Sequence, residues 1–312
     1  MLRILMTGAT GFIGQRLCAS LSRIDEIRVT SLGRRGSNVF DVDSLVVSSF
    51  DRVALRHALA GREFDVLIHL AAAGVHPADR DLGVLVETNA MLPSQLLELT
   101  AGCGVRAAVF AGSSAEYEAR QHCPDPLRES APLEMRKLYG ATKAAGSLLA
   151  MSTAARINLS AAHLRFFNVY GPGEAKHRLL PSLVTSLRNK RRAALSPGMQ
   201  IRDFVYVDDV CAAIVQVMER LLINTAATQD VFNVCTGVGH SVAQFAQTVA
   251  AGMGYSADLL DFGAVSMRPD EILHLVGDHS AVTDFCGWRP RTDLIEGIRH
   301  SIVEALDVDI ND

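Results

Sequence analysis

Short apolar runs alternate along the chain with longer stretches in which apolar residues recur every three or four positions. Arg3 to Thr7, Ile27 to Leu32, Phe64 to Leu70, Val105 to Ala111 and Ser160 to Phe166 are the short runs. Arg3 to Thr7 is interrupted by no turn residue, as a strand covered on both faces of a parallel sheet should be, and the others read as further strands. Between them, Ile13 to Arg23, Asp51 to Ala60, Leu82 to Cys103 (with Pro93 inside) and the alanine-rich stretch from Tyr139 to Ala155 read as helices. Repeated strand-helix units predict an α/β chain with a doubly wound parallel sheet whose ligand lies at the strands' carboxyl ends. The pattern changes after Phe166. Residues 168–200, which carry Pro172, Pro181 and Pro197, and the chain from Ser241 onward read as a smaller mixed lobe, while Ile201 to Asn233 reads as a return to the main sheet. The predicted domains are therefore discontinuous: 1–167 with 201–234, and 168–200 with 235–312.

Composition narrows the function classes. With 312 residues, 49% hydrophobic and 21% charged, the chain can bury one large core and a smaller lobe. A net charge of −4 offers no basic field for nucleic acid, and Arg188, Lys190, Arg191 and Arg192 read as a solvated helix end. Cys18, Cys103, Cys123, Cys211, Cys235 and Cys286 are scattered without zinc or disulfide spacing, which fits a reducing compartment. No apolar run has the length of a membrane span, and the chain opens on a strand rather than a leader. The expectation is a cytoplasmic protein with neither membrane nor nucleic-acid partner.

The first strand runs into Gly8, Gly11 and Gly14, spaced G-x-x-G-x-x-G at the start of a helix. Gly8 would turn the backbone off the strand, Gly11 would let a pyrophosphate approach, and Gly14 would let the helix pack against the strand. The free N–H groups around Phe12, Ile13 and Gly14 would hold that pyrophosphate. Leu70, Ala71 and Ala72 end the strand containing His69, and small residues there let a flat ligand lie on the backbone. His69 itself reads as a core histidine. After the second strand, where an acid would bind the adenosine ribose, the chain has Gly33-Arg34-Arg35. Two guanidiniums suit a 2′-phosphate, so NADP(H) is favoured as cofactor, with NAD(H) possible.

The strand ending in Ser113-Ser114 and the helix opening Tyr139-Gly-Ala-Thr-Lys143 supply the candidate chemistry. Tyr139 and Lys143 at i and i+4 share a helix face, so the ammonium is expected to lower the phenol's pKa. A Ser113 hydroxyl at the strand end could bond the same substrate oxygen, completing a proton relay beside a nicotinamide. A non-catalytic dinucleotide-binding sensor would have no use for this set.

Together these residues resemble the extended short-chain dehydrogenase/reductases, in the branch of nucleotide-sugar epimerases, dehydratases and reductases. The resemblance runs nearly end to end, through Asn89, Arg165-Phe-Phe-Asn168-Val-Tyr-Gly-Pro172, Arg202-Asp-Phe-Val-Tyr-Val-Asp-Asp209, Asn233-Val-Cys-Thr-Gly237 and Gly287-Trp-Arg-Pro290. It implies a Rossmann sheet with a nucleotide-sugar-binding lobe. It further implies Tyr139 as acid/base, Lys143 on the nicotinamide ribose, Ser113 on the reacting oxygen and Phe167 beside the cofactor. Ser114, Asn168, Arg202 and Arg268 would face a nucleotide-diphosphate sugar, and two copies would pair as a homodimer. Where the family's 4,6-dehydratases carry an acidic pair, this chain has Ser114-Ala115, which argues against dehydration. The leading expectation is NADPH-dependent reduction of a 4-keto-6-deoxy sugar at C4; the alternative is NAD-dependent 4-epimerisation.

Overall fold

A computed structural model describes residues 1–39, 42–76, 78–118, 125–268 and 271–308. Its first half follows the expected alternation: β1 (Leu2–Thr7), α1 (Phe12–Leu21), β2 (Ile27–Gly33), β3 (Asp43–Val46), α2 (Arg52–Leu59), β4 (Val66–His69), α3 (Leu82–Leu85), α4 (Leu92–Ala101), β5 (Ala107–Ser113), α5 (Leu138–Arg156) and β6 (Ser160–Phe166). The second half comprises β7 (Asn168–Tyr170), α6 (Leu179–Arg188), β8 (Ala193–Leu195), β9 (Ile201–Tyr206), α7 (Val207–Ile223), β10 (Gln229–Val234), β11 (Gly239–Ser241), α8 (Val242–Gly252), β12 (Leu260–Phe262), β13 (His274–Leu275), α9 (Ser280–Cys286) and α10 (Leu294–Val308).

Seven strands form one sheet in the order β3-β2-β1-β4-β5-β6-β10, with every neighbouring pair parallel. Successive side chains point to opposite faces, and both faces are covered. Ile4 and Met6 of β1 join Leu17 and Val210 in one core, whereas Leu5 joins Leu55 and Leu96 in the other. The strand order reverses direction between β1 and β4, which opens a crevice at their carboxyl ends.

One expectation is corrected and another refined. Residues 201–206 do not return to the large sheet: β9 pairs with β7, β11 and β13 in a small mixed sheet, and the chain rejoins the large one only through α7 and β10. Phe204, Val205 and Tyr206 are buried where they are, and an apolar run reads the same in either sheet. The helix from Leu82 is also not uniform, because Val86–Met91 forms a π turn between α3 and α4. Pro93 has no N–H for the carbonyl of Asn89, and the backbone widens just before it. The freed Asn89 carbonyl presses on α5 at Gly146, where an added Cβ would come within 1.9 Å of it.

The smaller lobe is fastened by two carboxylates of the Arg202–Asp209 motif. Asp203 accepts hydrogen bonds from the Thr236 amide and hydroxyl (both 2.7 Å) and from the Gly237 amide (2.9 Å). Asp209 accepts from the Thr292 amide at 3.0 Å, and its carbonyl accepts from the Trp288 indole at 3.0 Å. Among the described residues, Cys18, Cys103, Cys211, Cys235 and Cys286 are free thiols and no cluster suits a metal ion; Cys123 lies outside them. No helix among them is long and apolar enough to cross a membrane.

Candidate active site

The glycine turn sits at the reversal of strand order. Gly8 has φ +75°, and an added Cβ would fall 2.6 Å from the Ala71 amide nitrogen, so the end of β1 can cross the end of β4 only without a side chain. A Cβ on Gly14 would fall 2.1 Å from the Gly8 carbonyl, which fixes how closely α1 packs on the turn. Gly11 is the N-cap of α1 and makes no side-chain capping bond, leaving the first amides of the helix for an anion.

These residues line a cavity of about 850 Å³ together with Phe12, Ile13, Arg34, Arg35, Leu70, Ala71 and Ala72, all expected from the sequence. Ser31, Phe50, Val75, Ala111 and Ala175 also line it and were not expected. The cavity fits a dinucleotide in having a glycine cradle, free helix amides and small strand ends. Arg34 and Arg35 are exposed at its rim, and neither makes an ion pair among the described residues. Phe167 is buried, with its ring packed among Tyr117, Cys235 and Leu275.

Beside this cavity β5 ends in Ser113, and α5 opens with Tyr139, whose phenol lies near enough to the Ser113 hydroxyl to be influenced by it. Gly140 makes the approach possible, since a Cβ there would lie 2.0 Å from the Ala115 carbonyl. Lys143 is buried one turn further along, with Nζ donating to the Ala111 carbonyl at 2.5 Å. The structure thus gathers the expected triad, but the expected electrostatics differ. Burial raises the Tyr139 pKa above its ordinary value; the Ser113 hydroxyl opposes this, Glu116 adds to it, and Arg178 and Arg80 oppose it. Lys143 is tied to the strand, and burial lowers its own pKa against the opposing charge of Glu116. Tyr139 therefore stays a phenol at neutral pH, a state suited to giving a proton.

The remaining expected residues are less uniform. Ser114 is buried behind Ser113, and Asn168 opens β7 with its side-chain carbonyl buried and unbonded. Arg202 is buried in β9 and bonded to Glu271, with a further bond to the Ile201 carbonyl at 2.8 Å. Arg268 is exposed. Sequence reasoning missed Glu271, Glu116, Arg80 and Arg178, because no spacing marks an acid that pairs with an arginine across 69 residues.

His69 is a core residue, as expected: it is 1% exposed, and Nδ1 lies 2.7 Å from the Thr7 hydroxyl. Burial, with the nearby charges of Lys143 and His163, pushes its pKa down to about 3. A folded-state pKa below the unfolded one means stability is fully present above about pH 6.5 and is lost as pH falls toward 3, by about 1.4 kcal/mol per unit. Chemical denaturation between pH 7 and 5 is therefore expected to show a steeper loss for the parent than for His69→Gln.

The chain is 26% identical over 311 residues to CDP-abequose synthase of Salmonella typhimurium, covering 95% of each. It is 28% identical over 331 residues to a probable UDP-glucuronate 4-epimerase of Rhizobium meliloti, again covering 95% of each. Among solved structures, MoeE5 in complex with UDP-glucose and NAD superposes with a TM-score of 0.85 at 27% identity, over 98% of this chain and 99% of that one. The model of the NAD dependent epimerase/dehydratase family matches residues 4–235, and the chain belongs to that family of nucleotide-sugar-modifying enzymes.

Proposed function

We propose that the protein uses NADPH to reduce the C4 carbonyl of a nucleotide-diphosphate 4-keto-6-deoxy sugar. The observation that carries this reading is the Arg34-Arg35 pair, two exposed guanidiniums at the rim of the dinucleotide cavity. They suit a 2′-phosphate by charge and by planar geometry. A reductase consumes its reduced dinucleotide and must release it, whereas an epimerase keeps its own through the cycle. Bound NADPH supplies the hydride. Ser113 holds the ketone oxygen, Tyr139 gives it a proton, and Lys143 holds the ribose beside them. Ser114 and Ala115 supply no acid-base pair for elimination, which supports reduction over dehydration. Ser114 at the end of β5, together with Asn168, Arg202 and Arg268 of the smaller lobe built on the sheet of β7, β9, β11 and β13, would bind the sugar diphosphate.

A second reading, 4-epimerisation with retained NAD, is supported by the epimerase relative and by the NAD in MoeE5. One preparation separates the two. Nucleotide released from freshly purified protein is identified, and the stripped protein is then titrated with NADPH and NADH. Little retained nucleotide, preference for NADPH and its consumption by 4-keto sugar nucleotides are expected; tightly held NAD with no net NADPH use would overturn the reduction. Replacing both arginines (Arg34→Ser with Arg35→Ser) is expected to weaken NADPH binding by about 10- to 100-fold and NADH binding by less than about 3-fold.

The same reading makes the enzyme a cytoplasmic homodimer. Leu82, Val84 and Met91 on the α3–α4 segment and Leu148 and Leu149 on α5 are exposed and apolar, which supports pairing through these helices.

A further inference from the structure

Directly beneath the Ser113–Tyr139 pair, Glu116 is wholly enclosed, with no exposed side-chain surface. One carboxylate oxygen accepts from the Ser113 amide at 2.8 Å and meets His163 Nε2 at 2.8 Å; the other accepts from Arg165 Nε at 2.9 Å. Its carbonyl accepts from the Glu134 amide at 2.7 Å, and the Glu134 side chain in turn accepts from the Arg136 amide at 2.6 Å, just before α5 begins. The site is built around this acid. Gly112 has room for no side chain, since a Cβ would lie 2.7 Å from the carboxylate and 2.3 Å from His163 Nε2.

We propose that Glu116 is a positioning residue for the reaction: it fixes the strand end that carries Ser113 and sets a buried negative charge against the start of α5, where Gly140 packs on the Ala115 carbonyl. This rests on the reading of Ser113, Tyr139 and Lys143 given above. A buried carboxylate survives only where cations and N–H groups surround it. Here burial raises its pKa, but His163, Arg165 and Lys143 overcome this and hold it at about 2, so the charge persists at working pH. Seen from α5, that charge raises the pKa of both Lys143 and Tyr139. His69 faces Lys143 from β4, Arg80 and Arg178 face Tyr139 from the loops, and Glu129 stands behind Arg165. Among the described residues, Glu116 is the acid whose charge bears on both Lys143 and Tyr139. Removing its charge should therefore let both lose their protons at lower pH.

The test is Glu116→Gln, which keeps the shape and an acceptor for the Ser113 amide while removing the charge. Tyr139 ionisation is read from tyrosinate absorbance as the difference between each protein and its Tyr139→Phe counterpart. Its midpoint is expected to fall by about 1 pH unit. The alkaline limb of the turnover profile should move the same way, whereas a merely structural loss would lower turnover without moving the limb. Because the neutral amide would leave the Arg165 guanidinium short of a partner, the double variant Glu116→Gln with Arg165→Met is read alongside. An unmoved midpoint in whichever variant folds overturns the proposal, as does failure of both to fold, which would make the carboxylate structural. If the parent turns over no 4-keto sugar nucleotide, the reductase reading falls, and the tyrosinate midpoint still decides the role of Glu116.

Discussion

Tyr139→Phe is expected to lower reductive turnover by about 10²- to 10⁴-fold while leaving NADPH affinity within about 2-fold of the parent. The reasoning starts from what the substitution removes: one oxygen and its proton, on a ring whose place is set by the helix and by Gly140 against Ala115. The glycine cradle and Arg34 lie on other elements, so binding has no reason to change. Hydride arriving at a carbonyl carbon leaves an alkoxide, and Ser113, a far weaker acid in this role, can share that charge but not discharge it as well. Single-turnover oxidation of NADPH after mixing with a 4-keto sugar nucleotide measures the step directly. Turnover of the variant at the parental rate would remove Tyr139 from the chemistry. Because Tyr139 is held as a phenol by burial, the parent should also keep its reductive rate through neutral pH and lose it only on the alkaline side.

How much of this was legible from the sequence depended on whether a residue's task is local. The tasks of Gly8 and Gly14 are set by backbone geometry within a few residues, and both occur where the spacing put them. Ser113 and Tyr139 were found because a strand end and a helix start are visible in the apolar pattern. By contrast, β9 joins the small sheet through pairings with β7, β11 and β13, and its own residues carry no mark of that choice. The π turn before Pro93 was hidden because a helix widened by one residue keeps nearly the same apolar period. The packing of the Phe167 ring into the space left by Gly277 was likewise hidden, since the two are far apart in the chain. Glu116 was invisible for a different reason: an acid between Ala115 and Tyr117 reads as a surface residue until β6 is seen to bring His163 and Arg165 against it.

The second large effect separates the tasks of the glycines. Gly14→Ala is expected to cost about 3 kcal/mol of stability and to weaken dinucleotide binding by more than about tenfold. Its Cβ would meet the Gly8 carbonyl at 2.1 Å and the Ala9 Cα at 2.8 Å, both backbone atoms that no rotamer change can move aside. Relief requires α1 to move off the turn, and that movement shifts the amides that would face the pyrophosphate. It also disturbs the contacts of Leu17 and Cys18 with the core on that face of the sheet. Gly11→Ala provides the contrast. Gly11 has φ −83°, and its Cβ would stand 3.2 Å from the Gly8 carbonyl, a contact that small adjustments relieve. Stability should then fall by no more than about 1 kcal/mol, while the methyl group occupies the approach to the helix amides and binding still weakens by about tenfold. Denaturant midpoints and dinucleotide titrations on the two variants check both halves. If Gly14→Ala unfolds with the parent and binds like it, close packing of α1 against the end of β1 is not what forms the cradle.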